Sequence, residues 1–320
     1  MDLRHFTLAF DDLTYTGRGL HAPESVLAEL DGTLWVSDKR DGGCVRIAPD
    51  GTQRFFGGWG GSPNGLAFDV DGSVLTANFG THRVQRLHRD GRVETVLTAV
   101  DGQPLHRANF VFVDGQGRWW LTCSTRDPGW RVGDGLHRRD GFVALVDGRG
   151  ARIVADGLDF ANEARLDATG RWLYVAETAA RRVVRFPVRA DGSLGAREVY
   201  GPSDLGVAAL VDGLAFDAAG NLWVTTVVRN GLGLITPDGD YHVVIEDVPA
   251  DALAAYAAKA AAGTLVPDDE AALVGTRLRL LTSVTFGGPA LRTVYVGSVG
   301  MDTLPTFRSP VPGLPLHHWR

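Results

Sequence analysis

The sequence predicts an all-β protein: a six-bladed β-propeller closed by its N-terminal strand, with a short helical insertion between blades 5 and 6. Three observations carry this. One unit recurs six times along the chain, the copies follow one another at similar intervals, and short apolar runs within each copy are parted by Asp-Gly or similar turns. The clearest pair is Asn64-Gly65-Leu66-Ala67-Phe68-Asp69 and Asp212-Gly213-Leu214-Ala215-Phe216-Asp217. The first residues of the six copies are Glu24, Asn64, Asn109, Asn162, Asp212 and Ser283, at steps of 40, 45, 53, 50 and 71 residues. A propeller blade of four short strands takes roughly 40–50 residues. A β-sandwich would also be rich in hairpins, but it would not explain the regular spacing.

Each copy opens on an inner strand, turns, and runs into a second strand such as Leu34-Trp35-Val36, Leu173-Tyr174-Val175 or Leu222-Trp223-Val224. Asp50-Gly51, Asp90-Gly91, Asp191-Gly192 and Asp238-Gly239 mark the second hairpins of their units, since Asp-Gly is a strong hairpin signal. The last unit runs short of strands before Pro310, Pro312 and Pro315. The run Phe6-Thr7-Leu8-Ala9-Phe10 is therefore expected to close the ring as the outer strand of blade 6, removing an exposed edge. The long fifth step carries an alanine-rich stretch, residues 251–262, between Pro249 and Gly263, which reads as a helix. A second short helix is expected over residues 268–278, so the insertion spans about 250–278 of a single domain covering residues 1–320. Trp35, Trp120, Trp172 and Trp223 recur at repeat positions and are expected to fill the core between blades.

Composition narrows the function. The 320 residues carry a formal net charge of −6, which argues against a nucleic-acid binder. No run of eighteen apolar residues suggests a membrane span, and the first residues show no secretory pattern. Two cysteines, Cys44 and Cys123, make neither a disulfide framework nor a zinc site. They read as reduced thiols of a cytoplasmic protein. No P-loop, dinucleotide fingerprint, nucleophile elbow or His-Glu-x-x-His is present.

In a propeller, equivalent first residues of the inner strands ring one mouth of the central channel. Here Glu24, Asn64, Asn109, Asn162, Asp212 and Ser283 would converge there. These are hard oxygen donors, suited to Ca²⁺ or another hard divalent cation, and two carboxylates balance its charge. The plainer reading is that Asn and Asp before Gly simply make turns. Against it, the residue type switches between copies while the position is kept.

The chain resembles the senescence marker protein/gluconolactonase/luciferin-regenerating enzyme family of six-bladed propellers over about residues 20–310. The resemblance rests on Asp212–Asp217, on Asn162-Glu163 with Tyr174-Val175-Ala176-Glu177-Thr178, and on Thr282-Ser283-Val284-Thr285-Phe286-Gly287-Gly288 with Tyr295-Val296. It implies a divalent ion, Ca²⁺ foremost with Zn²⁺, Mg²⁺ or Mn²⁺ as alternatives, held by Glu24, Asn162 and Asp212. Asn109 would serve substrate or metal, and Arg107 would contact substrate. The first ligand is flanked here as Pro23-Glu24-Ser25-Val26, where family members often read Gly-Glu-Gly-Pro, and the insertion is not a general family feature. The implied activity is hydrolysis of a lactone, sugar or small aliphatic, with the cation polarising the carbonyl and Asp212 as general base. Asn64, Asn109 and Ser283 would hold substrate.

The loop of residues 124–137 is long and carries Arg126, Trp130, Arg131 and His137, so it is expected to act as a lid and specificity loop; a solvated loop is the alternative. Asp38 and Glu177 end second strands and can reach the mouth or serve as edge residues. His317-His318 lack ligand spacing, and Cys123 has no histidine placed to activate it. The competing functions are an isomerase, dehydratase or carbon–carbon bond enzyme on the same scaffold, and a non-enzymatic binding propeller, which has no need of acids around the channel.

Overall fold

The computed structural model describes residues 3–130 and 137–319. Among them, six four-stranded antiparallel sheets are arranged in sequence order. The inner strand of each packs against those of its two neighbours, and blade 6 packs against blade 1. The inner strands are Pro23–Ala28, Pro63–Phe68, Ala108–Val113, Ala161–Leu166, Val211–Phe216 and Leu281–Gly287. Every residue is buried in those of blades 1, 2, 5 and 6. Both faces are covered there, so these strands lack the in–out alternation of a half-solvated sheet.

Between blades the tryptophans do what their recurrence predicts. Trp35, Trp120 and Trp223 are buried, and their indole N–H groups donate to Glu29, Asp114 and Asp217 respectively. Trp172 is only half-buried and carries the Arg185 guanidinium 4.3 Å above its ring.

The ring is closed from the N-terminal side, but by other residues than expected. The fourth strand of blade 6 is Thr14–Thr16, paired antiparallel with Leu304–Thr306. The more apolar Phe6–Phe10 run is not a strand. Its side chains pack on the blade 5–blade 6 core, with Phe6 6.1 Å from Trp223 centroid to centroid, and Leu8 N–H bonds Val244 O at the outer strand of blade 5. An outermost strand buries one face at most, so threonines suffice there.

The insertion forms an α-helix, Ala250–Ala262, stopped by Gly263 at φ 66° with its N–H on the last-turn carbonyls. A 3₁₀ turn, Pro267–Leu273, follows in place of the second helix, and no regular element runs on to residue 278. Val248, Ala252, Leu253 and Tyr256 pack on Ala208, Val228 and Leu273, on the segments leading into and out of the inner hairpin of blade 5. No helix among the described residues is long and apolar enough to cross a membrane.

Residues 310–319 cross the opposite end of the channel. Gly313 bridges to Asp217, and Leu314 N–H bonds Phe216 O in blade 5. Gly313 N–H bonds Leu291 O in blade 6. His318 Nε2 donates to Ala28 O in blade 1, 3.0 Å away, and its ring stands on Phe68 of blade 2. Leu314, Leu316 and Trp319 leave a residual cavity of about 30 Å³ against Arg165, Phe216 and Phe286.

Candidate functional site

Every inner strand breaks register with its neighbour near its start: between Pro23 and Val26, Pro63 and Leu66, Ala108 and Phe110, Ala161 and Ala164, Val211 and Leu214, and Leu281 and Val284. These are β-bulges, which bend a strand and re-aim a side chain. Glu24, Asn64, Asn109, Asn162 and Asp212 each occupy the first bulged position, so none is a turn residue. In blade 6 that position belongs to Thr282, and Ser283 stands second. Thr282 Oγ1 donates to the Glu24 carbonyl across the blade 6–blade 1 seam, 2.8 Å away.

The second bulged position faces the next blade. Ser25 Oγ accepts from Leu66 N–H at 3.2 Å, and Glu163 Oε2 accepts from Leu214 N–H at 3.1 Å. Where that residue is glycine, the neighbouring backbone itself fills the space. A Cβ on Gly65 would lie 2.6 Å from Phe110 Cα, and one on Gly213 would lie 2.4 Å from Thr282 O. Neither glycine has positive φ. The Asn-Gly and Asp-Gly pairs of the inner strands therefore mark close approach of strands, not turns.

All six sequence-predicted ring residues are buried, Asp212 the most exposed at 7%. Asn162 Nδ2 donates to Thr178 Oγ1 (3.1 Å), which donates in turn to Val211 O (2.6 Å). Asn109 Nδ2 donates to Ser124 Oγ (2.9 Å). Asn64 Nδ2 donates to Asn109 O and Oδ1 (3.0 and 3.2 Å), and Asn64 Oδ1 accepts from Lys39 Nζ at 2.6 Å. Left over are Asn162 Oδ1, Asp212 Oδ1 and Ser283 Oγ, three buried oxygens with no hydrogen-bond partner. Each such atom costs about 1–3 kcal/mol unless something else satisfies it.

Electrostatics point the same way. Burial raises the proton affinity of Asp212 well above that of an ordinary aspartate, the Glu24 and Glu163 charges raise it further, and Lys39 opposes them. Burial raises Glu24 as well, against Lys39 and a hydrogen bond with Asn64. Glu163 is pushed up to about 8 by burial despite its Arg165 partner, 3.1 Å away. Crowded buried carboxylates with orphaned oxygens beside them are stabilised by a cation. The donor set is all oxygen, which fits a hard divalent ion. Asn109 already uses both ends of its amide, so the open ring oxygens belong to Asn162 and Asp212, while Ser283 Oγ, at the second bulged position, lies against Gly297 of its own blade.

A second tier stands above the ring. The residue after each second strand donates its N–H to the residue two before the ring position: Lys39 to Ala22, Phe79 to Ser62, Ser124 to Arg107, Thr178 to Phe160, Val227 to Leu210 and Val299 to Leu280. Ser124 and Thr178 orient ring amides, and Lys39 engages a third. The tier is present in the repeat but carries no common residue type that would mark it in sequence: Lys39, Phe79, Ser124, Thr178, Val227 and Val299. Arg107 lies on the tier's rim. Its guanidinium bonds the Pro128 and Trp130 carbonyls (2.9 and 2.6 Å) and lies 5.1 Å from the centre of the Phe79 ring.

The loop of residues 124–137 is described only in part, since residues 131–136, including Arg131, lie outside the described residues. Trp130 packs with Phe79, Phe160 and Ala179. Arg126 is committed to Asp156 through two bonds (2.8 and 2.9 Å) and to Asp140 O. His137 is 65% exposed, with Nδ1 2.8 Å from Asp159. Glu177 turns away from the mouth and is fully enclosed by Arg182, Arg197 and the Asp159 N–H. Asp38 accepts the Asp41 N–H and stands with Asp41 and His21 on the rim of blade 1.

Residues 23–266 match the family model described as SMP-30/Gluconolactonase/LRE-like region. The 6-deoxy-6-sulfogluconolactonase of Pseudomonas putida is 26% identical over 187 residues, 58% of this chain and 52% of that protein, so the match spans about half of that relative. Among solved structures, a gluconolactonase of Xanthomonas campestris has a TM-score of 0.65 at 20% identity, covering 91% of this chain and 88% of that one. A luciferin-regenerating enzyme has a TM-score of 0.71 at 16% identity, covering 95% and 99%. Regucalcin of Agrobacterium tumefaciens, described as a calcium-binding protein, has a TM-score of 0.67 at 16% identity, covering 96% and 98%. At these identities the solved structures speak for the fold alone.

Proposed function

The chain belongs to the SMP-30/gluconolactonase/LRE-like family, and from that premise we propose that it hydrolyses a small lactone, sugar or aliphatic, with a divalent cation bound at the bulge ring. Glu24, Asn162 and Asp212 would hold the ion, with Ca²⁺ the first candidate. The observation that carries the reading is the pair of unpartnered buried oxygens, Asn162 Oδ1 and Asp212 Oδ1, in a ring that also holds the buried Glu24 carboxylate. When bound, the ion supplies a Lewis acid to the lactone carbonyl and balances the carboxylate charge.

The remaining work falls to the chain itself. Asp212 takes the proton of the attacking water as general base, its carboxylate standing in the ring where that water would attack. Thr178 fixes Asn162, and Ser124 fixes Asn109, so the polar wall is held before substrate arrives. Asn109, through its remaining amide N–H, would face the substrate's oxygens and is held by Asn64; Asn64 itself is spent on Asn109 and Lys39, and Ser283 lies against its own blade, so neither is placed to bind substrate. Arg107 and Trp130 form the wall beside them, and Arg126 and His137 tie down the ends of the loop through Asp156 and Asp159.

The test is acid release from a panel of sugar and aliphatic lactones, with Ca²⁺ added and after chelation. Hydrolysis of one lactone class that chelation abolishes is the expected result. No release from any lactone, with metal bound by calorimetry, would overturn the assignment.

A further inference from the structure

Lys39 is the one charged member of the second tier, whose other five positions are Phe79, Ser124, Thr178, Val227 and Val299. Its side chain is half-buried and runs along the Phe79 ring, 5.6 Å from the centroid. Its ammonium sits 2.6 Å from Asn64 Oδ1. It makes no ion pair with Glu24 or Asp212 among the described residues; it stands in the tier directly over the ring that holds both, above Glu24 in the same blade and bonded to the ring amide of Asn64, where its charge favours their ionised forms. Arg165, on the inner strand of blade 4, is paired with Glu163. A lysine so placed brings one positive charge to the mouth, half that of a divalent ion.

Resting on the metal reading above, we propose that Lys39 is a built-in counter-cation: it neutralises the Glu24–Asp212 pair in the metal-free protein and competes with the divalent ion for it. The physical basis is simple. Removing a positive charge from beside two buried carboxylates leaves them uncompensated, which destabilises the metal-free fold. The same removal relieves repulsion between a monovalent and a divalent cation that share one set of anions. Loss of the Lys39 charge therefore has opposite signs in the two states. A lysine that merely stapled a loop would weaken both.

The experiment compares the full-length wild type with Lys39→Met and Lys39→Arg. Ca²⁺ and Mn²⁺ affinities are measured by calorimetry, and melting temperatures with chelator and with saturating metal. Lys39→Met is expected to bind Mn²⁺ or Ca²⁺ about tenfold more tightly than wild type, the scale of one like-charge contact near the protein surface. It is also expected to melt several degrees lower than wild type with chelator and to recover the difference when loaded. Lys39→Arg keeps the charge and should stay within about twofold of wild type in affinity. Equal or weaker metal binding by Lys39→Met overturns the proposal while leaving the metal site intact. If none of the three proteins binds Ca²⁺, Mn²⁺, Mg²⁺ or Zn²⁺, the metal reading of the ring fails and this proposal fails with it.

Discussion

Gly213→Ala is the sharpest probe of how the bulge ring is built. Gly213 follows Asp212 directly and lies in the seam between blades 5 and 6. An added Cβ would sit 2.4 Å from Thr282 O and 2.6 Å from Ser283 Cα, where ordinary contact begins at 3.4 Å. The obstructing atoms are backbone, so no side chain can swing aside. The two inner strands must part by about 1 Å, a strain of the kind that costs about 1–3 kcal/mol in a packed core. Unfolding entropy for a chain of this length is on the order of 0.7 kcal/mol per kelvin, so the melting temperature should fall by about 2–4 °C. Activity should suffer more than stability, because Asp212 and Ser283 move with the strands, and a displacement near 1 Å can cost about 10²-fold in rate. The assay is differential scanning calorimetry with lactone turnover on the same preparation. Gly115→Ala is the matched control: that glycine lacks positive φ and has nothing within 4 Å of an added Cβ, so its variant should melt at or slightly above wild type. If Gly213→Ala melts within 1 °C of wild type and turns over normally, the close-approach account of the Asp-Gly pair is wrong.

Asp212→Asn should lower turnover by at least about 10²-fold at saturating metal, as loss of a general base does; a near-wild-type rate there removes Asp212 from that role. His318 gives a pH signature. Burial of this tail residue against blades 1 and 2 pushes its pKa down to about 4. The folded value lies below the unfolded one, so its contribution is complete above about pH 6.5 and is lost as pH falls through 4. The loss is up to about 3 kcal/mol, and His318→Phe should flatten melting temperature against pH over that window; an unchanged slope contradicts the burial argument. Both cysteines are buried, with the Cys123 thiol pushed up to about 12 by burial and Cys44 higher still. A thiol reagent should leave both untouched in the native protein and label both in denaturant, and fast native labelling of either would contradict their placement.

The propeller was legible because each blade repeats the same physical problem, and the solution recurs in the residues: a polar bulge, a turn, a tryptophan-bearing second strand. The register slipped only in blade 6, where Thr282-Ser283 replaces the Asn-Gly or Asp-Gly pair that marks the bulge in blades 2 and 5. The closing strand was misplaced because Phe6–Phe10 is the more apolar run, yet those side chains pack into the seam beside Trp223. Lys39 escaped notice for a different reason. Nothing local distinguishes a lysine aimed over the mouth from one in solvent, and only its place in the second tier does. The turn reading of Asn64-Gly65 and Asp212-Gly213 fails because a glycine can be demanded by a neighbour's backbone as well as by its own φ.

Because residues 310–319 cross the far end of the bore from blades 5 and 6 to blades 1 and 2, a ligand held at the ring would come and go by the bulge end. On that geometry a ligand at Asp212 would back out the way it came, and a polymer would not be threaded past the ring. Product leaving and substrate arriving would then share one threshold. A lid placed on that threshold would govern arrival and departure together.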